Sequence, residues 1–219
     1  MTDQTTAAVH DAIRRDLGYD LAADEASAAV LAGLLTDGVV SRLSLSGRSV
    51  AIVVGANLTA TGIEEASRAD HVFATGDALE RLEVAACWPT LVVTDLDSEP
   101  ARVCARTHLG GLVAIHAHGD NQSVIEEWVP RMNQQHVIGT AQVTPAPSPL
   151  LNPGGFTDGD RTAYLADSLG VGSLSLIGWD LDDPTVSVEK ARKLAWARQL
   201  LCALASRRGE SYEAIDEVP

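Results

Sequence analysis

The chain has 219 residues, 46% of them apolar and 21% charged, with 18 Gly and 9 Pro. That composition is globular and excludes a disordered, collagen-like or disulfide-dense chain. Thirty acids against sixteen bases leave a net charge of −14, which argues against nucleic-acid or anionic-membrane partners, because both need a basic surface.

Residues 1–46 read as a helical extension. Its opening, MTDQTTAAVHDAIRRDLGYD, is polar and mixed in charge, so no secretory signal is expected. Residues 5–17 and 24–35 carry Ala, Leu, Val and Ile at helical spacing, with Gly18 and Gly38 as stops. An α/β catalytic domain over 47–208 follows, then a tail over 209–219. Its expected strands are the short apolar runs at 49–54, 71–74, 90–94, 112–115, 136–143 and 173–177. Helical segments at 63–68, 77–86, 99–108, 121–132 and 159–169 lie among them. Pro184 to Arg208 reads as a closing helix, with Pro184 near its first turn and Arg207 and Arg208 in its last. Strands without strict alternation, separated by helices, imply an α/β fold: a mostly parallel sheet with helices on both faces. Ligands of such sheets bind outside the carboxyl ends of the strands. The four-proline stretch 144–155 is expected to be a functional loop of the same domain, with a domain linker as the alternative.

No apolar run reaches the roughly 18 to 20 residues that a membrane span needs. The three cysteines, Cys87, Cys104 and Cys202, are odd in number and widely spaced, and read as free thiols in a reducing cytoplasm. Lysine occurs only at Lys190 and Lys193, the other bases being Arg. Acid excess with scarce Lys suits a salt-rich cytoplasm, whose ions screen the acidic self-repulsion, so a halophilic source is expected. An ordinary acidic protein from a genome that prefers Arg is the alternative.

Three motifs follow strands. Thr94-Asp95-Leu96-Asp97-Ser98 offers two carboxylates two residues apart, which suits a hard cation such as Mg²⁺. The bland alternative is an acidic turn opening the next helix, and a phosphatase with an aspartate nucleophile is a third option. His116-Ala117-His118-Gly119-Asp120-Asn121 could aim both imidazoles at one ligand, as i and i+2 on an extended segment point the same way. Those histidines would serve a metallohydrolase or donate to phosphate oxygens, with Asp120 taking a metal or a substrate hydroxyl. Equally, Asp120 caps the helix near Gln122 and one histidine is a core residue.

Gly154 to Arg161 enters a helix with Thr157, Asp158 and Asp160, and the planar fork of Arg161 suits a phosphate. There the alternative is an ordinary cap by Asp158 or Asp160. Gly55 and Asn57 could let the backbone approach a phosphate, although G-x-G-x-x-G and the P-loop are both absent. Asp77 is placed similarly but suits an N-cap as well, and Lys190 could reach a polyphosphate from a solvated helix. Clustered acids repel a bare nucleotide and become a site when a divalent metal bridges them to phosphates. The combination points to metal-dependent chemistry on a phosphorylated substrate.

Pro89-Thr-Leu-Val-Val-Thr-Asp-Leu-Asp-Ser98, His116 to Asn121 and Gly155-Phe-Thr-Asp-Gly-Asp-Arg-Thr-Ala163 resemble the archaeal 6-hydroxymethyl-7,8-dihydropterin pyrophosphokinase family, itself similar in fold to thiamine pyrophosphokinases. Ile177-Gly-Trp-Asp180 and the Lys190 to Ala197 stretch of the last helix also fit, and the likeness runs from about Ser49 to Leu201. It departs at Gly55-Ala56-Asn57-Leu58 and at Ala74-Thr75-Gly76-Asp77. The resemblance implies a Rossmann-like, thiamine-pyrophosphokinase-like domain that transfers a diphosphoryl group from ATP to the pterin hydroxymethyl group and releases AMP.

On that resemblance, Asp95 and Asp97 hold Mg²⁺ on the ATP phosphates. Asp120 with Asn121 orients the pterin hydroxyl or a second metal, and Asp158 and Asp160 complete the metal and substrate site. Arg161 neutralises the transferred group, while His116 and His118 donate to phosphates or move a proton. Gly55, Asn57, Asp77, Asn121, Thr157 and Lys190 are the expected nucleotide contacts. Phe156 or Trp179 could stack on the pterin, with core packing the alternative for both. Thiamine as acceptor, or a metal-dependent phosphohydrolase, are the alternative functions. The expected partners are small molecules, and a homodimer is expected by analogy with the thiamine enzymes.

Overall fold

A computed structural model describes residues 3–36 and 45–216. In chain order the elements are α1 (Asp3–Leu17), α2 (Leu21–Leu34), β1 (Ser49–Val53), α3 (Ala60–Ala66), β2 (His71–Thr75), α4 (Leu79–Val84), β3 (Leu91–Thr94) and α5 (Pro100–His108). They continue as β4 (Leu112–Ala117), α6 (Gln122–Trp128), β5 (Val137–Ala141), α7 (Asp158–Ser168), β6 (Ser173–Ile177), α8 (Val188–Arg208) and α9 (Glu213–Asp216). All six expected strands are present. The helix stop expected at Gly38 lies outside the described residues.

Local chemistry explains most boundaries. The side chains of Asp20, Thr59 and Ser187 accept the backbone N–H of Ala22, Gly62 and Lys190, which satisfies a first-turn donor in α2, α3 and α8. Gly209, left-handed at φ 67°, ends α8. The expected start at Pro184 was four residues early. Asp183 accepts the Thr185 N–H in a side-chain turn (2.8 Å), and that turn delays the helix until Ser187 caps it. The helix expected over 77–86 divides into a 3₁₀ turn at Gly76–Ala78 and α4. Within the expected tail, α9 forms an unforeseen short helix.

The described residues of Met1–Ser44 join Leu91–Gly154 in one compact unit, and Leu45–Thr90 joins Gly155–Pro219 in a second. In the first, β4 pairs in parallel with β3 on one side and β5 on the other. Helix α2 packs on β4, β5 and α6, while α5 packs on β4 and α6. Leu91, Val92, Val93 and Val113 to Ile115 are fully buried, as expected for parallel strands covered on both faces.

In the second unit, β1 pairs in parallel with β2 and β6. Ala51 and Val53 of β1, Val72 and Ala74 of β2, and Ile177 of β6 bury one face with Ala66 and Ile63 of α3. The period of two turns Val50, Ile52 and Val54 to the opposite face, where Val54 lies 3.0 Å from the Cβ position of Gly159 on α7. Helices therefore cover both faces of β1. Each fully buried Val, Ile, Leu or Phe side chain contributes about 1.5–3 kcal/mol to this packing.

Candidate functional site

In the first unit, β3 and β4 run in parallel and deliver Asp95 and His118 at their carboxyl ends. The two side chains meet there: His118 Nε2 lies 3.1 Å from Asp95 Oδ2, and His118 Nδ1 lies 2.6 Å from Asp120 Oδ1. One imidazole thus links two carboxylates. A doubly protonated ring donates to both, whereas a neutral ring donates to one and can accept a proton at the other nitrogen. Asp120 is largely exposed, with 88% of its side-chain surface accessible, so it is the member of this chain open to a ligand. Asp120 does not cap α6, because Asn121 occupies the N-cap.

Asp95 accepts the backbone N–H of Asp97 at 3.1 Å, a side-chain turn that shapes the D-x-D segment. Burial pushes its carboxyl up, but the hydrogen bonds from His118 and Asp97 outweigh that and hold it below the usual carboxylate range. Leu96 between them is left-handed at φ 69° and only 1% exposed. A non-glycine residue there costs about 1–2 kcal/mol, and burial of the Leu96 side chain offsets it. The result leaves Asp97 exposed and Asp95 half-buried.

Two expected substrate contacts have structural duties instead. Asn121 is buried, and its amide donates to the carbonyls of Asp95 (3.0 Å) and His116 (2.7 Å) while its oxygen accepts the His118 N–H (3.0 Å). It ties the two strand ends together. His116 lies inside β4, is 2% exposed, and places Nδ1 3.2 Å from Thr140 Oγ1. Its ring stacks on His118 with centroids 5.7 Å apart. His116 therefore supports the face of His118 from the core, and the pair does not open jointly toward solvent.

In the second unit, the expected phosphate turn is largely committed to itself. The Gly55 N–H donates to Asp77 Oδ1 (3.3 Å), and the Asn57 N–H donates to the Gly178 carbonyl (2.8 Å). Asp77 also accepts from the Thr75 hydroxyl, so it is neither a plain N-cap nor a free ligand. Arg81, which sequence reasoning missed, donates to the carbonyls of Gly55 (3.2 Å) and Leu58 and clamps the turn. Nothing in the spacing of α4 marks Arg81 for this task.

At the start of α7 the N-cap is Thr157, not Asp158 or Asp160 as the capping alternative expects, and Asp160 caps from the third helical position. It is 0% exposed and accepts N–H bonds from Phe156 (2.6 Å) and Thr157 (2.9 Å), with the Thr157 hydroxyl bonded as well. This is the reciprocal half of a capping box, with Thr157 at the N-cap. Burial raises the Asp160 carboxyl, opposed by the Thr157 bond and the charge of Arg161. A carboxylate so enclosed has no face left for a metal. Arg161 is also 0% exposed; it donates to the Phe156 carbonyl (2.9 Å), and its charge acts on Asp160. Asp158 and Thr157 are half-buried, and Lys190 is exposed on the first turn of α8. The ring of Trp179 lies 2.7 Å from the Cβ position of Gly159, and its Nε1 donates to Ile52 O at 3.4 Å. Trp179 is a packing residue.

Among the described residues, no three His, Cys, Asp or Glu side chains are grouped to hold a metal ion, and no helix is long and apolar enough to cross a membrane. All three cysteines are free thiols. No family model matches the chain. The chain is 40% identical over 95 residues to a protein of Methanothermobacter thermautotrophicus, covering 43% of this chain and 40% of that one. It is 37% identical over 126 residues to a protein of Pyrococcus furiosus, covering 52% of each. It is 30% identical over 131 residues to one of Methanocaldococcus jannaschii, covering 52% and 54%. The chain spans about half the length of the curated relatives it matches, or less. All three carry the name 6-hydroxymethyl-7,8-dihydropterin pyrophosphokinase, so the similarity of this chain is to the archaeal enzymes of that name.

Proposed function

We propose that the chain is an ATP- and Mg²⁺-dependent diphosphotransferase that converts 6-hydroxymethyl-7,8-dihydropterin to its diphosphate and releases AMP. The observation that carries this reading is the 30–40% identity to three proteins of that name. Within the first unit, Asp95, His118 and Asp120 supply matching chemistry at the carboxyl ends of parallel strands, where such sheets bind ligands. The pterin hydroxyl attacks the β-phosphorus, the bond from that phosphorus to the oxygen of AMP breaks, and the hydroxyl proton needs an acceptor. His118 takes that proton, steadied by Asp95, while Asp120 orients the hydroxyl. His116 and Asn121 hold this arrangement from below.

The donor set suits Mg²⁺, which prefers oxygen ligands and keeps several waters. Asp97 and Asp120 are exposed carboxylates, and Asp95, two residues before Asp97, is partly accessible. Asp97 and Asp120 would be the carboxylates that hold the ion, with water and phosphate oxygens completing its shell. Bound there, Mg²⁺ would neutralise charge on the transferred phosphates. Gly55, Asn57, Asp77, Thr157 and Lys190 keep only the roles that the resemblance implies. The product would serve folate or methanopterin synthesis in a salt-rich cytoplasm, and a homodimer is the expected assembly.

The test is incubation with ATP, Mg²⁺ and the reduced pterin. Equal amounts of AMP and pterin diphosphate are expected, and Asp97→Asn should lower kcat by about 10²-fold or more. Diphosphorylation of thiamine in place of the pterin, or phosphate release without an acceptor, would refute the reading.

A further inference from the structure

The N-terminal helices carry a buried carboxylate for which the reaction described above leaves no role. Asp24 sits in the first turn of α2 and is 2% exposed. Its Oδ1 accepts the backbone N–H of Gly119 at 2.9 Å, and its Oδ2 accepts Gln142 Nε2 at 2.9 Å. Arg14 of α1 adds its charge 3.6 Å from Oδ2 and donates to the Gln142 carbonyl at 3.4 Å. Gly119 lies between His118 and Asp120, and Gln142 immediately follows β5. One carboxylate therefore joins α1, α2, the segment after β4 and the exit of β5.

Helix stability does not explain it. Asp20 already caps α2, and Asp24 lies on the buried stripe with Ser27, Ala28 and Leu31. A buried carboxylate, even when paired and hydrogen-bonded, is often no more stabilising than an apolar side chain of similar volume, so stability alone does not call for Asp24 on that stripe. The segment is also fitted to α2 sterically. A Cβ on Gly119 would stand 3.0 Å from Ala23 Cβ, so α2 approaches as closely as a glycine permits.

We infer that Asp24 is a positioning residue. By holding the Gly119 N–H it fixes the short segment that carries His118 and Asp120, and it makes the helical extension part of the reaction machinery. This inference rests on the function proposed above, because it assigns His118 and Asp120 to the transfer step.

Its test uses the full chain with Asp24→Ala, Asp24→Asn, Gly119→Ala and the double variant Ala23→Gly/Gly119→Ala. Two quantities are read: amide hydrogen exchange at residues 118–121 against 113–115 of β4, and kcat and KM for pterin and ATP. Asp24→Ala should raise exchange at Gly119 about tenfold or more while 113–115 stay protected, and lower kcat about tenfold with less than about threefold change in the KM for ATP. Asp24→Asn, which keeps one acceptor oxygen, should recover most of both. Gly119→Ala should lower kcat, and the added Ala23→Gly should restore it to within about threefold. Unchanged exchange at Gly119 in Asp24→Ala overturns the inference, and so does a fall in activity that merely follows the folded fraction or that Ala23→Gly cannot repair. Should the unaltered chain transfer nothing to the pterin, the proposed function fails separately, and the exchange measurement still decides whether Asp24 holds the segment.

Discussion

Asp95 and Asp160 are both carboxylates in aspartate-rich motifs, yet their surroundings push them in opposite directions. Asp95 is half-buried but receives hydrogen bonds from His118 and Asp97 that favour its charged form. Asp160 is fully enclosed, and desolvation outweighs its capping bonds and Arg161. The sign for stability follows by linkage. With the folded carboxyl raised above its ordinary 3.8, the native state binds a proton at pH values where the unfolded chain does not. Its contribution to stability is then fully present below pH 3.8 and is lost as pH rises through the folded value. We predict that the stability of the natural chain minus that of Asp160→Asn grows as pH falls from neutral, then levels off below about 3.8. Urea denaturation across a pH series measures this difference, and a pH-independent difference would show that folding leaves the Asp160 carboxyl unshifted. The sequence presented both aspartates in the same D-x-D spacing. It could not reveal which one the chain would close over, because enclosure depends on the backbone of Phe156 and Thr157 folding back on Asp160.

At the scale of elements, the strands were legible and the ends of helices were not. Apolar runs such as Val50 to Val53 and Leu91 to Val93 are long enough to specify buried parallel strands alone. The start of α8 instead depended on a competing side-chain turn at Asp183, a local contest that periodicity does not record. Helix α2 could have been read further: Asp24, Ser27, Ala28 and Leu31 share the i, i+3, i+4, i+7 stripe, and a charge on an apolar stripe signals a specific partner. The segment before α7 shows how such junctions are fixed. Gly155 has φ 79°, and a Cβ there would stand 2.4 Å from Arg161 Cα and 2.6 Å from Arg161 N. Gly170, just beyond the other end of α7, has φ 78° with nothing within 4 Å. Substitution at Gly170 meets backbone strain alone, whereas substitution at Gly155 adds a collision with the helix backbone. Gly170→Ala should therefore lose about 1 kcal/mol. Gly155→Ala should lose about 3 kcal/mol or more. Denaturation midpoints at unchanged m-value check the pair. Equal losses would mean that the turn before α7 can move away at little cost.

At the scale of the whole molecule, charge sets the terms. A net charge of −14 means that at least fourteen of the thirty acids have no Lys or Arg of their own to pair with. Some charges are paired, as where Asp167 meets Arg207 and Arg208, and Arg208 also meets Glu210. These pairs are only partly exposed; fully exposed ones are worth about 0–1 kcal/mol each, and all weaken as salt rises, buried ones least. The unpaired excess acts oppositely, because salt relieves self-repulsion that the compact state concentrates and the unfolded chain dilutes. The Debye length falls from about 10 Å at 0.1 M to about 3 Å at 1 M, so relief extends well beyond dilute buffer. With nearly two acids for each base, repulsion should outweigh the screened pairs. Thermal midpoints are expected to rise continuously from 0.1 to 2 M potassium chloride. Chloride serves better than sulfate, whose exclusion from the surface would strengthen apolar burial whatever the charge. Urea is the suitable denaturant for a parallel series, because guanidinium chloride is itself a salt. A flat or falling midpoint would mean that the ion pairs around Asp167, Arg208 and their neighbours contribute more than the acidic surface costs.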